Sequence, residues 1–222
     1  MSPAPTAVVR FAEHGNGPRH LRLRAIWRAI AACEPQVRIE PQADRGGHRQ
    51  FLEAATLIPA TAPILLLTEE DFLPNLDSDW CSAEHTLSGA HLVACSYRMR
   101  GAFRMLDNDR GIVGGWYLAF NTHLDDLSSL DFSGPDPGNR LQNQIAPQRL
   151  ILMPGEDGYP AHYGIEYPVG VHLFWSRHLH DPPERRVSGI SLGDVQAKHD
   201  ARVDRWIARA PQRFREVYKE PA

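Results

Sequence analysis

Cysteine is scarce in this chain: Cys33, Cys81 and Cys95 are the only 3 in 222 residues. An odd number without any CxxC spacing excludes a disulfide framework and offers no zinc-site pattern. Free, buried thiols in a reducing cytoplasm are the expected state. Long apolar runs are missing as well. None approaches the ~20 residues that a membrane span needs, and the opening "MSPAPTAVVRFAEHG" lacks the basic start and apolar stretch of a secretory signal. A cytoplasmic protein without a membrane span is the expectation. Charge of one sign is not in excess: 24 Lys and Arg face 27 Asp and Glu, for a net charge of −3. There is no basic tail or run of the kind that tracks phosphates, so charge gives no indication of a nucleic-acid partner; nucleic acid as a substrate stays open. Three catalytic signatures are also absent: a G-x-S-x-G elbow, a Walker loop, and a G-x-G-x-x-G opening a helix after a strand.

What the chain does have is a hydrophobic fraction of 42%, enough for a core, and alternating patterns through its first hundred residues. "TAVVRFA" (6–12) reads as a short buried strand. From Pro18, the residues Leu21, Ile26, Trp27, Ile30 and Ala31 mark one helical face. "EPQVRIEP" (34–41) is a second strand, and "HRQFLEAATLI" (48–58) a second helix stopped by Pro59. The continuous apolar run "APILLLT" (62–68) suits a central parallel strand covered on both faces. "DSDWCSAEHTLSG" (77–89) reads as a helix capped by Asp77 or Ser78, and "AHLVACSYRMR" (90–100) as a fourth strand. Strand and helix in alternation imply a parallel, doubly wound sheet with right-handed crossovers. The second half is less regular. "GIVGGWYLAFNT" (111–122) is strand-like, "GPDPGNRLQNQI" (134–145) opens a helix with Pro137 in its first turn, "YGIEYPVGVHLFW" (163–175) is extended, and 191–218 is helical with a break near Pro211. No repeat or linker divides the chain, so a single domain over 1–222 is expected.

The strand at 62–68 runs straight into Glu69, Glu70 and Asp71. Crowded like charges are unfavourable unless water, a cation or a basic partner offsets them. In an open parallel sheet, ligands bind at the carboxyl ends of the strands, which is where these acids fall. Carboxylates there can grip a hard divalent cation such as Mg²⁺ that completes its shell with water and phosphate oxygens. In an extended chain, Glu69 and Asp71 point the same way and Glu70 the other. The competing reading is a solvated surface turn.

The segment "ADRGGHRQFLEAATLIPATAPILLLTEEDFLPNLD" (43–77) resembles the nucleotide-binding half of GT-A glycosyltransferases, especially the family 2-like group. There a loop with an acid or amide and Gly leads into a helix carrying Arg or Asn. An apolar strand, a D-x-D-type acidic motif and a Leu-Pro turn follow. Asp44, Gly46, Gly47 and Arg49 match the loop and helix start, and Glu69 and Asp71 match the motif, with Glu replacing its usual first Asp. The resemblance implies a GT-A-like, Rossmann-like α/β fold with a mostly parallel sheet flanked by helices. Residues 1–100 would be the nucleotide-binding half and 101–222 the acceptor and metal half. It implies a hexosyltransferase-like enzyme moving a sugar from a nucleotide-diphosphate sugar to an unidentified acceptor, with Mg²⁺ or Mn²⁺ as cofactor. Asp44, Gly47, Arg49, Glu69 and Glu70 would bind the nucleotide sugar, and Asp71 and His172 the metal. Asp136 would be the catalytic base, and Trp116 and Tyr117, after a Gly pair, would face the acceptor. His178 and His180 are alternatives to His172; Arg177, Arg185 and Arg186 are candidates to neutralise a departing diphosphate. The first strand departs from the family, lacking its Pro-Thr-x-Asn-like ending, and the chain is short for the fold.

Each residue also has a plainer reading: His172 a packed core histidine, Arg49 an exposed helix residue, Asp44 a turn former, Trp116 and Tyr117 core aromatics, Asp136 an ordinary N-cap. The alternatives for the whole are a nucleotidyltransferase or metal-dependent phosphohydrolase on a similar sheet, and a non-catalytic nucleotide-sugar-binding module.

Overall fold

A computed structural model describes residues 5–43, 48–97, 112–123, 126–133, 137–155, 164–173, 178–187 and 189–221. The fold is a mixed α/β sheet flanked by helices. Strands β1 (Ala7–Glu13), β2 (Val37–Ala43) and β3 (Ile64–Glu69) are separated by helices α1 (Pro18–Cys33) and α2 (His48–Leu57). Next come a short β4 (Phe72–Pro74), α3 (Ala83–Leu87), β5 (Leu92–Tyr97), β6 (Ile112–Asn121), α4 (Pro137–Gln142) and β7 (Leu150–Pro154). The chain ends with β8 (Ile165–Tyr167), β9 (Gly170–His172), the small hairpin β10 (Arg186–Val187) and β11 (Ile190–Ser191), then α5 (Leu192–Arg209) and α6 (Gln212–Val217).

The main sheet has six strands in the order β2-β1-β3-β6-β5-β7. All pairings are parallel except those of β6, which runs antiparallel to both β3 and β5. The alternation of strand and helix thus predicts the mostly parallel sheet correctly. It does not predict that β6, from the second half, inserts between β3 and β5. Strand adjacency is set by long-range pairing, on which local patterning is silent.

Alternation along the buried strands builds two cores. Val9, Leu66, Tyr117 and Ala119 point to the side covered by α1, α6 and part of α5. Val8, Leu65, Leu67, Leu118 and Phe120 point to the side covered by α2 and α4. Burial on both faces explains the unbroken apolar run in β3. Arg10, in β1 and 1% exposed, is an exception with a purpose. Its guanidinium donates to the carbonyls of Ala55 (2.7 Å), Ile58 (2.8 Å) and Pro59 (3.2 Å) and to Glu40 (2.9 Å). It therefore satisfies the orphan carbonyls at the end of α2.

Two expected elements are shorter. The helix expected over 77–89 forms only at Ala83–Leu87, because Trp80 (3% exposed) and Cys81 (8%) turn into the core ahead of it. Its first amides are capped by Asp79, which accepts from Ala83 (2.8 Å) and Glu84 (3.2 Å), rather than by Asp77 or Ser78. The extended segment expected over 163–175 contains the β8–β9 hairpin, which joins β4 in a separate three-stranded sheet. The helix break at Pro211 falls between α5 and α6.

Candidate metal centre

β3 ends at Glu69, and Glu70 and Asp71 make a turn into β4. β4 then pairs antiparallel with β9, setting Phe72 opposite His172, and the Leu173 amide donates to the Asp71 carbonyl at 3.0 Å. This pairing carries a residue a hundred positions later to the acidic turn. Gly170 allows it: a Cβ there would stand 2.4 Å from the Leu73 carbonyl oxygen, so only glycine lets β9 lie against β4.

The result is a cluster of Glu69, Asp71 and His172 whose ligand atoms all lie within 4.8 Å of one another. His172 Nε2 is 3.3 Å from Asp71 Oδ1 and 3.4 Å from Glu69 Oε2. Asp71 and His172 are buried, at 0% and 2% exposure, and Glu69 is half-buried at the rim. Burial works against a charged imidazole, but the Asp71 carboxylate and then Glu69 outweigh it and lift the His172 pKa to about 9. Neighbouring ligands on one octahedral ion stand about 3 Å apart, so the spacing fits a small divalent cation. Two carboxylates and an imidazole are a mixed oxygen–nitrogen set that suits Mn²⁺ at least as well as Mg²⁺.

The structure separates Glu70 from its two neighbours. Glu70 is 0% exposed and turned toward α1, where its carboxylate bonds His20 Nδ1, accepts from the His14 amide (3.2 Å) and lies 3.5 Å from Arg24 Nε. Trp27 Nε1 donates to its carbonyl at 3.0 Å. The expected nucleotide-sugar contact of Glu70 is therefore corrected: it holds the acidic turn from behind. The expectation that Glu69 and Asp71 point together holds, but through a turn and not through strand alternation. The contacts of Glu70 with His14, just before α1, and with His20, Arg24 and Trp27 of α1 were not foreseen, since a lone residue in a loop or on a helix carries no mark of its distant partner.

Tyr117 is also corrected. It is 0% exposed, its hydroxyl donates to the Trp80 carbonyl (2.7 Å) and shares a hydrogen bond with Ser82 (2.8 Å), and no acceptor can reach it. Trp116, half-buried at the edge of the same core, stacks on His172 with centroids 4.7 Å apart and planes 10° from parallel. One indole face is thus covered by the candidate metal ligand. Arg49 is exposed in the first turn of α2, with Nε 2.6 Å from Glu53. Asp44, Gly46, Gly47, Asp136 and Arg177 lie outside the described residues. His178 bonds Asp181 (2.9 Å), as does Arg185 (2.6 Å), and His180 stacks obliquely near His20, so none of these joins the cluster. Arg186 pairs with the Gly189 carbonyl in the β10–β11 hairpin. The thiols of Cys33, Cys81 and Cys95 are free, and burial pushes Cys81 up to about 11.

No helix among the described residues is long and apolar enough to cross a membrane. No family model matches the chain, and no curated protein matches it. Among solved structures, the chain is similar to A197 from STIV (12% identity, TM-score 0.47, 75% of this chain and 93% of that one). It is also similar to 4-diphosphocytidyl-2C-methyl-D-erythritol synthase from Anaerococcus prevotii (10% identity, TM-score 0.45, 69% and 90%). A third is a glycosyltransferase involved in the glycosylation of the major capsid of PBCV-1 (8% identity, TM-score 0.42, 67% and 81%). At this level of similarity they assign no activity to the chain.

Proposed function

We propose that this chain is a metal-dependent glycosyltransferase that moves a sugar from a nucleotide-diphosphate sugar to an acceptor. The observation that carries the reading is the convergence of Glu69, Asp71 and His172 at the carboxyl end of the central strand. Asp71 and His172 would hold Mn²⁺ or Mg²⁺, with Glu69 at the open rim. When bound, the ion supplies positive charge against the diphosphate leaving group. The chain's own part is to orient that set. Glu70 anchors the turn to α1, Gly170 seats β9, and Trp116 fixes the plane of His172. The nucleotide would lie beyond the ends of β1 and β2, near Asp44, Gly47 and Arg49. Asp136 is proposed as the base that takes the acceptor's proton if the mechanism inverts.

Calorimetry with UDP and GDP, with Mn²⁺ and then with excess EDTA, tests the metal role. Binding that vanishes on chelation is expected, whereas equal affinity in both conditions would remove the metal from the reading. Incubation with a panel of nucleotide sugars then tests the reaction. Sugar transfer or slow sugar-nucleotide hydrolysis is expected. Pyrophosphate release from nucleoside triphosphates would instead favour a nucleotidyltransferase.

A further inference from the structure

On the other side of the small sheet from the metal centre there is a second concave site. Alternation along β9 puts His172 on one face and Val171, paired with Glu166, on the other. Between that second face and α5 lies a groove of about 250 Å³, lined among others by Val171, Arg202, Arg205, Trp206 and Arg209. The arginines recur at i, i+3 and i+7 and so share one stripe of the helix. The acids interleaved with these arginines face elsewhere: Asp200 and Asp204 are held by Arg19 (2.7 Å) and Arg22 (2.6 Å) of α1.

The charges that line the groove do not cancel. Its three arginines face two acids: Glu166, matched by Arg202 at 3.5 Å, and Asp77, which lies 3.7 Å from an Arg213 that Glu34 already holds at 2.8 Å. Arg205 and Arg209 have no acidic partner among the described residues. The lining thus keeps one net positive charge, and two guanidinium forks beside a half-buried indole suit a compact anionic group rich in acceptors. A phosphate monoester offers three acceptor oxygens to two such forks, whereas a carboxylate offers two. We propose that this groove is a second ligand site, separate from the metal centre, that takes the phosphate-monoester group of a small phosphorylated molecule.

The test is calorimetry of the full chain with glucose 6-phosphate in excess EDTA, so that a metal-held nucleotide site plays no part. Saturable binding is expected, with weaker binding of inorganic phosphate and none of glucose. Arg205→Gln with Arg209→Gln, both on an exposed helix face, should weaken it by about tenfold or more at unchanged melting temperature. Arg205→Lys with Arg209→Lys should lose less. Asp71→Asn should bind as the native chain does, which keeps this result independent of the proposed glycosyl transfer. Four outcomes would each overturn the proposal: no saturable binding; loss of binding in Asp71→Asn; equal affinity for inorganic phosphate and glucose 6-phosphate; or tight, salt-sensitive binding of a thymidine oligonucleotide without any of the sugar phosphate.

Discussion

Asp71 and Glu70 are adjacent carboxylates with opposite surroundings. Asp71 faces His172 and Glu69, while Glu70 is enclosed by His20, Arg24 and the His14 amide. Asp71→Asn should abolish metal-dependent nucleotide binding and lower the melting temperature in EDTA, since the protonated His172 loses its nearer carboxylate. Glu70→Gln should act on stability alone, costing about 2 kcal/mol or more in urea denaturation, because it breaks charge-assisted hydrogen bonds inside the protein. If Glu70→Gln is instead the variant that loses metal-dependent binding, the two roles are exchanged. His172 adds a pH dependence. Its pKa is about 9 in the folded chain against an ordinary 6.5. A raised folded pKa means that its contribution to the metal-free protein is complete below the ordinary value and is lost as pH rises through about 9. Melting in EDTA should therefore fall across that window in the native chain and much less in His172→Gln. Mn²⁺ affinity should move oppositely, rising toward about pH 9, because the ion must displace the imidazole proton.

β6 is the element that both closes the main sheet and supports the metal centre. Gly114 and Trp116 share one face of it, and the indole folds back over the glycine. A Cβ at Gly114 would stand 2.4 Å from Trp116 Cζ2. Gly114→Ala should therefore push the indole off His172. The expected consequence is a loss of Mn²⁺ affinity of about tenfold, the usual scale for removing support from a metal-ligating histidine. Near-UV circular dichroism should change with it, since the stacked indole is displaced. An unchanged affinity would show that the His172 ring is held by β9 alone. At α5 the lesson concerns charge. "KHDARVDRWIAR" reads as a mixture of signs, but the helix sorts it into acids toward α1 and arginines toward the groove.

At the scale of the whole molecule, the C-terminal helices return to the first one. Phe214 of α6 is 0% exposed and stacks on Tyr218, at 5.3 Å, and edge-on to Trp206, at 5.0 Å. Arg213 reaches the buried Glu34 at 2.8 Å. We propose on this basis that residues 1–222 unfold as one unit. Phe214→Ala should cost about 3–5 kcal/mol, and urea transitions followed by far-UV dichroism and by tryptophan fluorescence should remain coincident. Separated transitions would divide the chain into two domains instead.

The sequence by itself determined most elements of the first half and one end of the site. The apolar run of β3, buried on both faces, and the acids that terminate it need no tertiary information, because burial and desolvation act on the local pattern. Strands β1, β2, β3, β5 and β6, the α1 and α2 helices, the α5–α6 break at Pro211 and the mostly parallel sheet follow in the same way, whereas β4, β7 and the β10–β11 hairpin were not expected from the sequence. Only the tertiary structure decided what the acids meet. The insertion of β6, the seating of β9 on β4 by Gly170, and the separate fates of Glu70 and Asp71 are long-range pairings. Tyr117 and Trp116 show the same division: neighbours in sequence beside one core, the first is enclosed by Trp80 and Ser82 and the second covers a candidate metal ligand. Local periodicity fixes which residues share a face, but the identity of the surface opposite depends on chain closure over a hundred residues, and that information is not local.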